Sequence, residues 1–170
     1  MVLKYNEVGK ITLSEMTDVT DPCYNKDVWC RATVNTVPGT YKCLVKRGTN
    51  GYVSECVIFH EDYFEKYKSL DAWELIAEIG VDSGLAGFFN EKQDYTTEQW
   101  SEFCDRIDAD EDGHSSKLYI WDGNSFFVAV EMDGGYDLYG LPSDKETEDG
   151  TTEAYFALRI HFGREVFDER

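Results

Sequence analysis

The chain has 170 residues, of which 42% are hydrophobic and 15% aromatic, and its formal net charge is −18. This length suits one domain with a real hydrophobic core, and the aromatic content exceeds what disordered chains carry. No apolar run approaches the roughly 20 residues that span a bilayer, and the N-terminus lacks the apolar segment and cleavage site of a signal peptide. We therefore predict a single soluble domain over residues 1–170 that stays in the cytoplasm.

The first 60 residues have the pattern of an antiparallel meander. β-Branched and aromatic residues between turn formers predict strands at 10–13, 28–34, 41–46 and 52–59. The first two are separated by a turn at Asp21-Pro22, and the last two by the hairpin signal Asn50-Gly51. One or two helical turns are predicted over 60–68.

The segment 74–82 is predicted to be a strand rather than a helix. Its apolar residues recur at every second position, opposite acidic ones: Leu75, Ala77, Ile79 and Val81. A turn follows at Asp82–Gly87, where we expect the glycines to take positive φ angles or to allow close backbone packing.

A helix is predicted to begin at Thr96. Thr96 and Gln99 fit a capping box, and an apolar stripe follows at helical spacing: Trp100, Phe103, Cys104 and Ile107. Because this stripe must turn inward, the acidic residues Glu98, Glu102 and Asp105 are expected on the solvent side.

The remainder of the chain is predicted to be β structure. A hairpin over 118–132 leads through a glycine turn into a strand at 136–141, and an acidic loop, 143–152, precedes a last strand at 153–162. The fold class is therefore mainly β, α+β at the margin: an antiparallel twisted sheet or sandwich with one amphipathic helix packed on it. The expected core comprises Leu75, Ala77, Ile79, Val81, Trp100, Phe103, Ile107, Phe156, Leu158 and Ile160.

Three motif regions resemble a family of uncharacterised bacterial and phage proteins known only as a domain of unknown function. They are Asp21-Pro-Cys-Tyr24 with Trp29-Cys30, Gly80-Val-Asp-Ser-Gly-Leu-Ala-Gly87, and Asp133-Gly-Gly-Tyr-Asp-Leu-Tyr139 with Ala157-Leu-Arg-Ile-His-Phe162. Members of that family tend to have Gln where this chain has Leu85 and a shorter hairpin at 143–152. The resemblance spans about residues 10 to 163 and implies a shared architecture and a phage or bacterial setting, without a mechanism.

The segment Asp108–Gly113 matches the first half of a calcium-binding EF-hand loop. Asp108, Asp110 and Asp112 stand at positions 1, 3 and 5, and a glycine stands at position 6. However, position 12, which needs a bidentate Glu, is Tyr119. Weak Ca²⁺ binding and a plain solvated acidic loop both stay open, and no other cofactor is predicted.

Nucleophilic chemistry has two weak candidates, Ser83 and Cys23. A serine needs a base, and nothing in the sequence brings His60, His114 or His161 near Ser83. The five cysteines show no close C-x-x-C pair of the kind that zinc sites use, so we expect mostly buried, reduced thiols. No catalytic triad and no zinc site are predicted, and a hydrolase is the third hypothesis for function.

The negative charge is confined to one part of the chain. Residues 1–68 carry nine acids and nine bases, whereas residues 69–170 carry twenty-five acids and seven bases. Such a segment repels nucleic acid and anionic membranes and attracts basic proteins or cations. The acidity by itself also serves solubility, so that explanation stays open.

The densest acidic stretch, 91–112, has nine acids and two bases. Helical acids one turn apart lie roughly 5–6 Å from each other, a coarse match to the roughly 3.4 Å phosphate spacing of a DNA strand. The leading hypothesis is therefore a non-enzymatic binding or inhibitor protein that mimics nucleic acid towards a basic protein; the alternative is a small-ligand- or Ca²⁺-binding module. The predicted contact residues are Glu98, Glu102, Asp105, Asp108, Asp110, Glu111 and Asp112.

Overall fold

The computed structural model describes residues 5–23, 32–49, 51–69, 71–92, 95–108, 117–146 and 153–163. Several predicted features lie outside these residues: the beginning of the strand 28–34, Asn50, most of the EF-hand-like loop with His114, and the end of the acidic loop 143–152. No helix within the described residues has the length and apolar character needed to cross a membrane.

The described residues contain eleven strands and two helices. In chain order the strands are β1 Asn6–Leu13, β2 Met16–Thr20, β3 Ala32–Asn35, β4 Gly39–Arg47, β5 Val53–His60, β6 Glu74–Val81, β7 Leu85–Asn90, β8 Leu118–Trp121, β9 Ser125–Ala129, β10 Gly134–Glu146 and β11 Glu153–His161. The helices are α1 Glu61–Tyr67, which follows β5, and α2 Thr97–Asp108, which follows β7. The predicted mainly β fold is confirmed.

The strands form two antiparallel sheets. The six-stranded sheet has the order β1-β4-β5-β11-β10-β6, and the five-stranded sheet has the order β3-β2-β7-β9-β8. One cluster of buried apolar side chains combines residues of both sheets, among them Ile58 and Leu158 from the first and Phe88 and Phe126 from the second. The two sheets therefore form a sandwich whose main core lies between them.

The predicted meander of the first 60 residues is confirmed for its last two strands, β4 and β5, which pair as an antiparallel hairpin, but is wrong before them. The chain leaves the six-stranded sheet after β1 and enters the five-stranded sheet as β2, which the sequence did not reveal. Ser14 stands at this crossing, where its amide and hydroxyl both donate to Asn90 Oδ1, at 2.8 and 2.7 Å. Strand β3 pairs with β2 in the five-stranded sheet, which the prediction did not include. The chain therefore returns to the six-stranded sheet only at β4.

Strand β6 is confirmed, but its predicted inward face is only partly right. Ile79 and Val81 are buried, whereas Leu75 is 63% exposed. The reason is a register shift: Ala77 pairs with Leu138 and Leu75 pairs with the next residue of β10, so Ile76 is an extra residue in the ladder. Such a bulge reverses the alternation, and Ile76 packs against the core in place of Leu75.

Two turns or loops predicted from the sequence are longer than the observed ones. The turn predicted at Asp82–Gly87 ends earlier, because β7 already begins at Leu85. The expected glycine roles are confirmed: Gly84 has φ +75°, and a Cβ at Gly87 would lie 2.1 Å from the Phe126 carbonyl oxygen. The acidic loop 143–152 is also wrong in its first part, because β10 extends to Glu146.

Each helix covers the outer face of one sheet. Helix α1 lies on the six-stranded sheet, where Tyr63 stacks on Phe156 at 4.6 Å between ring centroids. Helix α2 lies on the five-stranded sheet, where Phe103 is buried with Phe127 and Tyr119. The helical stripe is confirmed at Phe103, but Trp100 is 40% exposed and packs only on the edge of that cluster.

Candidate functional site

The acidic side of α2 is exposed as predicted. Glu98, Glu102 and Asp105 are all exposed, while Phe103 on the opposite side is buried. These acids are spaced four and three residues apart, so they are neighbours on one helical surface. Of the other predicted contact residues, Asp108 ends the helix, and Asp110, Glu111 and Asp112 lie outside the described residues.

The position of α2 is fixed by its first turn and by aromatic packing. The Gln99 amide donates to Thr96 Oγ1 at 3.1 Å, and the Thr96 amide donates to Gln99 Oε1 at 2.9 Å, which is the predicted capping box. The Phe103 ring lies 5.4 Å from the Trp121 ring on β8. Because the cap and the buried ring set the rotation of the helix, its acids are held towards solvent.

A cleft of about 440 Å³ opens between α2 and the edge of the five-stranded sheet. Its helix wall includes Glu102 and Arg106, and its sheet wall is built from the end of β7 and the β8–β9 hairpin. The lining of the cleft contains both aromatic and charged side chains. The lining is Phe89, Asn90, Glu91, Lys92, Tyr95, Gln99, Glu102, Phe103, Arg106, Trp121, Asp122, Asn124 and Ser125.

Asp21 joins two motifs that lie far apart in the sequence. Its carboxylate is completely buried. One oxygen accepts hydrogen bonds from the Cys23 amide at 2.9 Å and the Ser83 hydroxyl at 2.6 Å. The other accepts from the amides of Asp82 and Ser83, both at 2.8 Å. The carboxylate therefore fastens the turn after β6 to the end of β2.

The same contacts bear on the two candidate nucleophiles. The Ser83 hydroxyl donates to the Asp21 carboxylate, which also accepts from three backbone amides and therefore serves as a structural anchor of the turn. Burial raises the pKa of the Cys23 thiol to about 11, and a hydrogen bond with Ser83 offsets only part of this rise. The thiolate is the reactive form of cysteine, and a pKa raised in this way disfavours it near neutral pH.

The histidines within the described residues have partners other than Ser83 and Cys23. His60 caps α1, where its Nδ1 accepts from the Asp62 amide at 3.1 Å, and its Nε2 lies 3.0 Å from the Pro38 carbonyl oxygen. His161 Nδ1 donates to Glu55 Oε2 at 2.7 Å. Among the residues that the structure covers, no group of three or more acidic, histidine or cysteine side chains could hold a metal.

A second buried carboxylate, Glu55, lies on the outer face of the six-stranded sheet. Besides His161, it accepts a hydrogen bond from the Tyr5 hydroxyl, and Arg159 Nε lies 4.0 Å from it. The Arg159 guanidinium is held 4.8 Å from the ring of Trp73. Burial alone raises the pKa of Glu55, but the two hydrogen bonds and the positive charge of Arg159 outweigh burial, so the pKa is lowered.

The sequence placed Asp21 in a turn and predicted no role for Glu55 and no cleft. Asp21 and Ser83 each belong to a motif of the resembling family, and that shared membership was the available signal. The cleft had no comparable signal, because its two sheet segments are more than 25 residues apart. Comparison with known proteins gives no match to any family model, to any curated protein or to any solved structure.

Proposed function

We propose that the protein is a non-enzymatic binding protein that presents the acidic side of α2 to a basic protein. One observation carries this proposal. Glu98, Glu102 and Asp105 are exposed and form no ion pair with any other described residue. Their negative charge is therefore not compensated within the described structure and is available to a partner.

Three acids on the other side of the molecule are each paired with a lysine. Glu7 pairs with Lys42 at 3.0 Å, Glu61 pairs with Lys10 at 3.1 Å, and Glu65 pairs with Lys68 at 2.8 Å. These pairs lie on α1 and on β1 and β4 of the six-stranded sheet. Charge anywhere on the surface can keep a protein soluble. A binding site for a basic partner needs uncompensated negative charge in one place.

The spacing of the α2 acids supports the nucleic-acid-like character of the surface. Neighbouring acids on a helix lie about 5–6 Å apart, which a protein that binds a phosphate backbone can accommodate with flexible Lys and Arg side chains. Each exposed charge contact contributes only about 0.2–1 kcal/mol. A specific complex therefore needs several of these contacts together, and the partner must itself carry a cluster of basic residues.

The test is reversal of the three acids, with Glu98→Lys, Glu102→Lys and Asp105→Lys combined in one variant. Capture of a basic partner from a host lysate, followed by titration with that partner, measures the dissociation constant at low and high salt. Because reversal removes attraction and adds repulsion, we expect the dissociation constant to rise at least about 10-fold at low salt. The difference between variant and wild type shrinks at 1 M salt, where the screening length is about 3 Å.

A matched control separates the position of the charge from its amount. Asp62, Asp71 and Glu74 are exposed acids on the side of α1 that form no ion pair with another described residue, and their reversal to Lys gives the same net charge. The control should bind nearly as tightly as the wild type. Equal weakening in the two variants would reduce the effect to net charge, and unchanged binding in the α2 variant at low salt would refute the proposal.

A further inference from the structure

The cleft beside α2 already holds two cationic side chains on aromatic rings. The Arg106 guanidinium lies 4.0 Å above the ring of Trp121, and its Nη1 is 3.5 Å from Asp122 Oδ2. Lys92 Nζ lies 4.4 Å from the Tyr95 ring. A ring beside a carboxylate is the environment that a guanidinium prefers, since it stacks on the ring and pairs with the acid.

The Arg106 pair is exposed and therefore replaceable. The side chains of Arg106 and Asp122 are 47% and 73% exposed, and ion pairs of that exposure contribute little to stability. Glu102, on the same wall of the cleft, forms no ion pair with another described residue. The cleft thus has aromatic side chains and three carboxylates: Glu102, which is not paired within the described residues, Asp122, which is held by an arginine that can move out, and Glu91.

Two non-glycine residues that line the cleft have positive φ angles. Glu91 and Asp122 have φ angles of +46° and +56°, and they are the non-glycine residues with positive φ within the described part of the chain. Both line this cleft. At Asp122 this conformation belongs to the Asp122-Gly123 turn that joins β8 to β9, in which both central residues have positive φ.

We infer that the cleft receives an arginine side chain of the basic partner, an inference that rests on the proposed function. The incoming guanidinium replaces Arg106 on the Trp121 ring and pairs with Glu102 and Asp122. The exposed α2 acids attract the partner over a distance, and the cleft then selects arginine over lysine. Lysine is less suited because its compact ammonium does not stack flat on an indole or form a two-bonded pair with a carboxylate.

The probes are two peptides of the same length and net charge, one with arginine and one with lysine at every basic position. Dissociation constants are measured at low salt by titration calorimetry. For the wild type we expect the arginine peptide to bind about 2- to 5-fold more tightly, the range for an exposed cation–aromatic contact. Trp121→Phe should remove most of this preference while leaving the lysine peptide nearly unchanged.

Three further variants extend the test and protect it against a folding defect and against a general aromatic effect. Asp122→Asn keeps a side chain that tolerates positive φ, and it should also lower the preference for arginine. Trp100→Phe changes an exposed tryptophan of the same helix that does not line the cleft, and it should leave the preference intact. Arg106→Gln should tighten binding of the arginine peptide more than that of the lysine peptide.

The outcomes distinguish the cleft from the acidic surface. If the two peptides bind equally and Trp121→Phe changes neither, the cleft assignment is overturned, while weakening by the triple α2 reversal still supports the proposed function. If neither peptide binds at low salt and the triple reversal leaves the partner's affinity unchanged, both are overturned. A preference for arginine that Trp121→Phe and Asp122→Asn remove, and Trp100→Phe keeps, supports the inference.

Discussion

The buried carboxylate of Asp21 gives the sharpest prediction about stability. Substitution by Ala removes the acceptor of four hydrogen bonds, three from backbone amides and one from the Ser83 hydroxyl. At about 1 kcal/mol net for each bond the loss is about 4 kcal/mol. Alanine also removes the cost of burying a charge, which offsets part of this loss. We therefore expect Asp21→Ala to lower the free energy of unfolding by about 2–4 kcal/mol.

The arrangement of donors predicts a smaller effect for Asp21→Asn. The asparagine carbonyl can take the place of the oxygen that accepts from the Asp82 and Ser83 amides. Its NH₂ group then faces the Ser83 hydroxyl, which can rotate to accept, and the Cys23 amide, which cannot. One bond is lost instead of four, so the expected destabilisation is about 1–2 kcal/mol. The two variants should therefore differ although both remove the charge.

Denaturant unfolding at neutral pH, followed by circular dichroism, measures these values, and hydrogen exchange reports the Asp82 and Ser83 amides directly. Both amides should exchange faster in Asp21→Ala than in the wild type. The control is Asp71→Ala, at an exposed position, which should stay within about 0.5 kcal/mol of the wild type. If Asp21→Ala is also that close to the wild type, the carboxylate does not fasten the turn and the reasoning fails.

Two further predictions concern acid stability and close packing. Because the folded pKa of Glu55 is lowered, its contribution to stability is present above its ordinary pKa of 4.5 and is lost as the pH falls through the folded value; unfolding measured against pH should show an acid-dependent loss in the wild type that is smaller in Glu55→Gln. Gly87→Ala should destabilise by about 3 kcal/mol, the upper end for overpacking, because its Cβ would lie 2.4 Å from Phe127 Cα. Gly84→Ala, where the nearest atom is 3.9 Å away, should cost only about 1 kcal/mol through its positive φ; equal losses in the two glycine variants would contradict the packing argument.

The sequence predicted the fold well wherever side-chain alternation matched burial. Strand β11 is an example, since Leu158 and Ile160 are completely buried as expected. Strand β2 was missed because it buries polar residues on both of its faces: Thr17 and Asp18 are buried and satisfied by hydrogen bonds with Thr36 and Thr33. Periodicity is read from apolar residues, so a buried strand of satisfied polar residues has no such signal.

The sequence predicted the acidic surface of α2 but not the cleft beside it. The exposure of the α2 acids follows from helical periodicity alone, because an inward Phe103 forces Glu102 and Asp105 outward. The cleft depends instead on the pairing of β7 with β9, which brings Asn90 and Asn124 together, with the Asn90 amide donating to the Asn124 carbonyl oxygen at 3.1 Å. Pairing between distant strands is decided by tertiary packing and leaves no local pattern in the sequence.

The hydrogen bonds to the buried acids contrast with the unpaired acids of α2, and this contrast supports the proposal of a basic partner. Asp18, Asp21 and Glu55 are buried, and each is matched by hydrogen-bond donors of its own surroundings. Within the described residues the fold thus compensates these three buried charges, and on the side of α1 it also pairs three acids, Glu7, Glu61 and Glu65, with lysines. On α2 this compensation is missing within the described residues. Uncompensated like charges on one helix repel each other and lower its stability, so the same acids would be better tolerated if they were spread over the surface. A concentrated, unpaired arrangement is what binding to a basic protein requires, whereas solubility alone gives no reason for it.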